Sequence, residues 1–238
     1  MVPLKLNQVN GAETDSRWNW LYKIGGAATL LAAVVIPIAI VVYIVSPPPT
    51  TITGFFTLFQ DNTLLGLLAL DLLLIIAVVL SIPMVLALYV ALRRASESFM
   101  AIALTLSLVG ATTYFASNTS INMLSLSNQY AAAATDAERA IFLAAGQAML
   151  TIYTGTAFHV NFLIGGAALL IISFVMLRSN IFSKATAYVG IISNIMGFTL
   201  YVPKIGVWLS IVSVVGLFIW YIMIARKLFH LSCQREKL

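Results

Sequence analysis

Apolar residues along this chain gather in six long runs, and the polar residues lie mostly between them. A helix rises 1.5 Å per residue, so roughly 20 apolar residues cross about 30 Å of hydrocarbon. None of the runs alternates apolar and polar residues as a membrane β-strand would. The pattern therefore predicts an all-α, polytopic membrane bundle of six transmembrane helices. The six runs lie near Leu21–Val45, Leu64–Leu92, Phe99–Ala116, Phe158–Leu177, Thr186–Val202 and Ile205–Ala225.

Charged residues flank these runs, and their sign predicts how the chain is oriented. Only 9% of the residues are charged and 61% are hydrophobic, so water is not the main solvent of this protein. If each run crosses once, Arg139 and Lys204 are the only two of the 13 basic residues that do not share one side. Because basic residues are retained on the cytoplasmic side, we expect a multi-pass protein of the cytoplasmic (inner) membrane with both termini cytoplasmic.

The same charge distribution indicates the partners. The chain has a net charge of +5, and 11 of its 13 basic residues fall on the predicted cytoplasmic side, which favours contact with anionic membrane lipids. No basic stripe is interleaved with exposed aromatic residues, so no nucleic-acid partner is expected. Cys233 is the single cysteine. We therefore expect neither an internal disulfide nor a cysteine metal site, and the sequence predicts no metal and no cofactor.

The chain divides into three predicted segments. Residues 1–20 form a cytoplasmic N-terminal segment, residues 21–228 the six-helix transmembrane domain, and residues 229–238 a basic cytoplasmic tail. The first 20 residues lack the apolar core of a cleavable signal peptide, so the first span is expected to serve as an uncleaved signal anchor.

The outer connection between the first two runs begins with three consecutive prolines, which end the first helix because they lack N–H donors. The stretch Thr53–Asn62 then mixes phenylalanines with Gln60 and Asp61. It forms either a short helix in the membrane interface, where aromatic rings rest at the headgroup level, or the first turns of the second span. The residues alone are compatible with both.

Residues 117–157 are the least apolar part of the membrane domain, and we expect them to form an outer helical extension. Thr135 and Glu138 have the spacing of a capping box, which predicts that a helix begins there. Run unbroken to Leu177, that helix would be roughly 60 Å long, so a bend is expected at Gly155. The third and fourth spans are thus predicted to continue outward as a helical hairpin with its tip at 131–135.

A few polar residues within or beside the runs are candidates for a site, because a polar side chain in hydrocarbon needs a partner or a wet cavity. Asp71, Tyr114, Asn118 and His159 all fall in the outer half of their helices. We predict that they line one outward-facing cavity in which Asp71 and His159 come within hydrogen-bonding reach. Two blander interpretations stay open: Asp71 only reaches the interface or bonds a neighbouring hydroxyl, or His159 only links two helices.

Three further polar residues are predicted to pack between helices. Asn161 lies two positions after His159, about 200° around the helix, so the two cannot line one pocket. Asn194 and Tyr201 share a face of the fifth run with Gly190. Small residues allow close helix contact and amides link helices, so we assign Asn161, Asn194 and Tyr201 to interhelical packing.

The C-terminal third carries a resemblance to a known family. An apolar span ends in Arg178-Ser-Asn-Ile-Phe182, and the last span closes with the stretch 217–231, Leu-Phe-Ile-Trp-Tyr-Ile-Met-Ile-Ala-Arg-Lys-Leu-Phe-His-Leu. With the order of its spans, the chain resembles the uncharacterised bacterial six-span membrane proteins grouped as DUF4386. The resemblance implies a bacterial or archaeal cytoplasmic membrane and supplies no reaction.

Several classes of function compete. An intramembrane hydrolase would need His159, Asp71 and either Ser117 or Ser120 to converge, and no elbow motif marks either serine. A small-solute transporter or a transporter subunit is another alternative, which the single embedded carboxylate and the lack of an internal repeat weaken. We therefore expect no catalytic residues. The favoured hypothesis is a non-enzymatic membrane module that binds a lipid, a small apolar ligand or, through the outer hairpin, a protein.

Overall fold

A computed structural model of the chain describes residues 18–233, without the side chain of Val207. These residues form helices and no strand. Most of the predicted segment 1–20 and the end of the tail 229–238 lie outside the described residues. The helices are α1 Asn19–Val45, α2 Ile52–Asp61, α3 Thr63–Ala69, α4 Leu72–Leu92, α5 Glu97–Ser117, α6 Ser120–Ala132, α7 Asp136–Tyr153, α8 Thr156–Arg178, α9 Lys184–Phe198 and α10 Gly206–Cys233, with a 3₁₀ turn at Thr199–Tyr201.

Five helical stretches of the described chain are long and apolar enough to cross a membrane. They contain α1, α4, α5 with α6, α7 with α8, and α10. The predicted fifth span, Thr186–Val202, is α-helical only as far as Phe198. At 15 residues α9 is about 22 Å long, shorter than the hydrocarbon layer. The all-helical membrane fold is thus confirmed with five long spans.

The second predicted span is wrong at its N-terminal end, because Leu64–Leu92 is not one helix. The chain breaks between α3 and α4, where Asp71 adopts a left-handed conformation with φ 68° and ψ 26°. Such a conformation is uncommon outside glycine, and aspartate tolerates it better than most residues because its side chain is short and polar. Asp71 therefore lies at the beginning of α4 and not inside a continuous second span.

The stretch before this break forms two short helices, α2 and α3, each with its own N-terminal cap. The Thr51 hydroxyl caps α2 by accepting from the Gly54 N–H at 3.1 Å. The Asn62 side chain caps α3 in the same way, accepting from the Leu65 N–H at 3.0 Å. Of the two interpretations of this stretch, the separate helix is correct.

The predicted hairpin is formed by α6 and α7, joined by a short turn at 133–135. The predicted capping box is confirmed, since the Glu138 N–H donates to the Thr135 hydroxyl at 3.2 Å and the Thr135 N–H donates to the Glu138 carboxylate at 3.2 Å. The predicted interruption at Gly155 is confirmed as well. The predicted continuation of the third span into the hairpin is also interrupted, because α5 ends at Ser117 and α6 begins at Ser120.

Six helices form a closed ring. Neighbours in the ring pack against each other in the order α1, α4, α5, α8, α9 and α10, and α10 packs against α1. Their inward faces form one apolar core around Leu88, Met176 and Trp220, each fully buried. A second, separate core joins α2, α3 and α6 around Phe56, Phe59 and Met123. We call α2, α3, α6 and α7 the cap.

The cap meets the ring at three helix breaks, which lie between α3 and α4, between α5 and α6, and between α7 and α8. From its break to its other end, α4 has 21 residues, α5 21 and α8 23. At 1.5 Å per residue these helices are about 31 to 35 Å long, close to the thickness of the hydrocarbon layer. The three breaks therefore lie at one end of the ring, where the cap is stacked on it.

The capping box gives a test of how α7 begins. Thr135→Ala removes the hydroxyl that accepts from the Glu138 N–H and should cost about 1 kcal/mol of stability. Hydrogen exchange of the amides in residues 136–142 should rise. Thr135→Ser keeps the hydroxyl and should leave exchange unchanged; equal exchange in both variants would contradict the role of the cap.

Candidate functional site

The three helix breaks lie together, and polar side chains connect them. At the α3–α4 break the Asp71 carboxylate accepts a hydrogen bond from the Tyr153 hydroxyl, which belongs to the last residue of α7. The Asn118 amide, at the α5–α6 break, donates to the Leu70 carbonyl at 2.8 Å. Each break is thereby tied to another helix. We call these connections the break junction.

Asn118 satisfies backbone groups on both sides of the junction. Its carbonyl oxygen accepts from the Ser120 N–H at 3.1 Å and from the Ser120 hydroxyl at 2.7 Å. The neighbouring Thr119 hydroxyl donates to the Met149 carbonyl of α7 at 3.4 Å. These bonds supply partners to groups that the interrupted helices leave free.

The Asp71 carboxyl group lies buried at the centre of the junction, with 5% of the surface of the residue exposed. No Lys, Arg or His among residues 18–233 forms an ion pair with it. The Tyr114 hydroxyl interacts electrostatically with the carboxylate from α5. That hydroxyl is itself buried without a hydrogen-bond partner among the described residues. Two tyrosines therefore surround one carboxylate; Tyr153 makes the well-formed hydrogen bond, and Tyr114 makes a weaker interaction from the other side.

A cavity of about 670 Å³ opens beside Asp71. It lies between the end of α1, the proline segment, the cap helices α2 and α7, and the first turns of α4 and α8. Its walls are largely apolar and aromatic, and Asp71 is the only ionisable carboxylate among them. The lining residues are Tyr43, Pro48, Pro49, Phe55, Ala69, Asp71, Leu74, Gln147, Leu150, Thr151, Tyr153, Thr154 and Phe158.

The predicted cavity shared by Asp71, Tyr114, Asn118 and His159 is wrong. Only Asp71 lines the cavity; Tyr114 and Asn118 lie in the junction behind it. His159 is exposed, and its Nδ1 lies 2.9 Å from the Tyr201 hydroxyl oxygen instead of approaching Asp71. The reason is angular: Phe158 points into the cavity, and the next residue of a helix points about 100° away.

The three residues assigned to packing have different surroundings. The Asn161 side chain lies against Gly110 at the interface of α5 and α8, where a Cβ on Gly110 would stand 3.4 Å from its oxygen. Tyr201 joins two helices through its bond to His159 and its edge-on ring contact with Phe162. Asn194 is buried, but its amide donates to the Gly190 carbonyl of its own helix at 2.7 Å. The hydrogen bond made by Asn194 is therefore within a helix.

The residues that an intramembrane hydrolase would need do not come together in the structure. Asp71 and His159 bond to different tyrosines. The Ser117 hydroxyl donates to the Tyr114 carbonyl, and the Ser120 hydroxyl donates to Asn118. Neither serine has a base beside it.

Sequence reasoning missed the most important partner, Tyr153. Its only local signal was that it ends the apolar stretch before the Thr-Gly-Thr interruption at 154–156. The aromatic walls supplied by Tyr43, Phe55 and Phe158 were missed too, because phenylalanine and tyrosine are equally common on lipid-facing surfaces.

A ring of six helices, five of which belong to stretches long and apolar enough to cross a membrane, and a cap at one end define a multi-pass helical membrane protein. The sequence model of a family described as a domain of unknown function, DUF4386, matches residues 20–228. The chain belongs to this family. No curated protein and no solved structure matches it.

The junction predicts that the two tyrosines differ in their effect on stability. Tyr153→Phe removes a donor to a buried carboxylate and should lower the free energy of unfolding by about 1.5 to 3 kcal/mol. Tyr114→Phe removes a hydroxyl that makes no well-formed hydrogen bond and should lower the free energy of unfolding less than Tyr153→Phe does. Denaturant unfolding of the full-length protein in detergent measures both.

A double-mutant cycle refines this test. In an Asp71→Asn background, Tyr153→Phe should cost less than it does alone, because the two residues act through one bond. Equal losses for Tyr153→Phe and Tyr114→Phe, or strict additivity with Asp71→Asn, would contradict the assignment of this bond.

Proposed function

We propose that this protein is a non-enzymatic membrane receptor for a small, mainly apolar ligand that binds in the cavity beside Asp71. The observation that carries the proposal is the cavity itself: about 670 Å³ of space with apolar and aromatic walls and a single carboxylate. Ligand sites commonly have this size and character, with a few polar groups that fix orientation. No nucleophile lies in its walls with a base to activate it.

We further infer that the ring crosses the cytoplasmic membrane six times. The Tyr201 hydroxyl meets His159, so the end of the α9 segment reaches the beginning of α8. From His159 to Arg178, α8 rises about 30 Å, and the segment 184–201 covers the same height in the opposite direction. This geometry supports a sixth crossing made by α9 and its 3₁₀ turn together.

The orientation we propose places the cap outside and both termini in the cytoplasm. Arg93, Arg94, Arg178 and Lys184 all lie at the end of the ring opposite the breaks. Basic residues at span ends favour the cytoplasmic side. The cavity then opens at the outer boundary of the membrane, where both lipid and external solutes have access.

Broken helices also favour a transporter as a second candidate, since transporters bind substrates where spanning helices are interrupted near the midplane. Here, however, α4, α5 and α8 each keep a full membrane length below their breaks. The breaks therefore mark the outer boundary of the membrane, and the receptor is the better-supported function.

The topology gives the next prediction. In a Cys233→Ser background, single cysteines at Ala134 in the cap and Ile205 after the 3₁₀ turn should react with an impermeant maleimide in intact cells. Cysteines at Ala95 and Asn180 should react only after the cells are opened. Protection of the Ile205 cysteine in intact cells would contradict the sixth crossing, whereas labelling of Ala95 from outside would reverse the orientation.

Filling the cavity tests the proposed receptor. Thr151 lines the cavity, whereas the next residue, Ile152, is exposed and does not. Thr151→Trp should abolish saturable binding of a neutral probe, 4-phenylbutan-1-ol, measured by calorimetry on the full-length protein in detergent. Ile152→Trp adds the same bulk outside the cavity and should bind like the wild type. Equal binding by both variants would contradict the cavity as the ligand site.

A further inference from the structure

We propose that the ligand of this cavity is an organic cation, an apolar body that carries an ammonium group which pairs with Asp71. The inference rests on the proposed receptor function and adds the chemical class of the ligand. Its basis is the combination of an unpaired buried carboxylate with aromatic walls.

The first observation is the charge balance of the site. The walls of the cavity include one carboxylate and no Lys, Arg or His. Tyr153 donates one hydrogen bond to Asp71, and an ionised carboxylate has room for about four. A buried charge is costly unless it is paired, so a ligand that brings a positive charge gains more here than a neutral one.

The second observation is the aromatic content of the walls. Tyr43 and Phe55 come from the α1 and α2 side, and Phe158 comes from the first turn of α8. The faces of aromatic rings attract cations, and more strongly when water is excluded. A carboxylate among aromatic rings is therefore suited to an ammonium group with apolar substituents.

Other ligand classes fit the same walls less well. An apolar anion, such as a fatty acid, would bring a second negative charge to a buried carboxylate. A neutral alcohol can donate to Asp71 but leaves its charge uncompensated. A strongly hydrated inorganic cation would find too few oxygen ligands, because the rest of the walls is mostly apolar.

Three probes with one body separate these classes: 4-phenylbutan-1-amine, 4-phenylbutan-1-ol and 4-phenylbutanoate. Calorimetry on the full-length wild-type protein in detergent should rank the amine first, at least about tenfold tighter than the alcohol, which corresponds to about 1.4 kcal/mol. The carboxylate should bind weakest. This ranking needs no variant, so it tests the inference even if substitutions at Asp71 impair folding.

Two variants assign the preference to the residues. Asp71→Asn should remove the advantage of the amine over the alcohol while the alcohol keeps its affinity. Phe158→Leu retains an apolar wall without an aromatic face and should weaken the amine more than the alcohol. Thr151→Trp reports how much of each signal comes from the detergent.

The outcomes distinguish the class of ligand from the receptor function. If amine and alcohol bind equally and both depend on Thr151, the receptor stands and the ammonium class is overturned. Tighter binding of 4-phenylbutanoate overturns it as well. If no probe binds in a manner that depends on Thr151, both the receptor and the ammonium class fail.

Discussion

A helix cannot be interrupted beside hydrocarbon unless its freed backbone groups find partners, and the break junction meets that requirement. No lipid tail can accept or donate a hydrogen bond, so each orphaned group there costs several kcal/mol. Asn118 supplies a donor to the Leu70 carbonyl at one break and an acceptor for Ser120 at its own. The hydrogen bonds between the interruptions therefore help to stabilise all three.

The division of the molecule into ring and cap follows from the junction. With their breaks at one height, α4, α5 and α8 have nearly equal membrane-length segments, and the remaining pieces form a cap with its own apolar core. The same interruption gives Asp71 its left-handed backbone and turns its carboxylate toward Tyr153 and the cavity. Structure and candidate site thus depend on one set of contacts, in which a bound cation would complete the neutralisation of Asp71.

The proposed receptor differs from an enzyme in what its polar groups do. The hydrogen bonds of Tyr153 and Asn118 connect neighbouring helices. Ser117 and Ser120 donate to nearby backbone or amide oxygens. Asp71 differs from these groups, because it is the one ionisable carboxylate in the walls of a largely apolar space. Membership of the DUF4386 family is compatible with this function and does not by itself specify a ligand.

The sequence by itself determined the features that depend on local physics. Apolar runs of membrane length specified the long helices, the Thr135–Glu138 spacing specified where α7 begins, and Gly155 marked an interruption. Tertiary structure alone decided the partners of the polar residues. Tyr153 is 82 positions from Asp71 along the chain, and His159 bonds Tyr201 instead of Asp71, because one step along a helix turns a side chain by about 100°. Such long-range pairings depend on helix rotation and on the height of each break, which hydropathy does not encode.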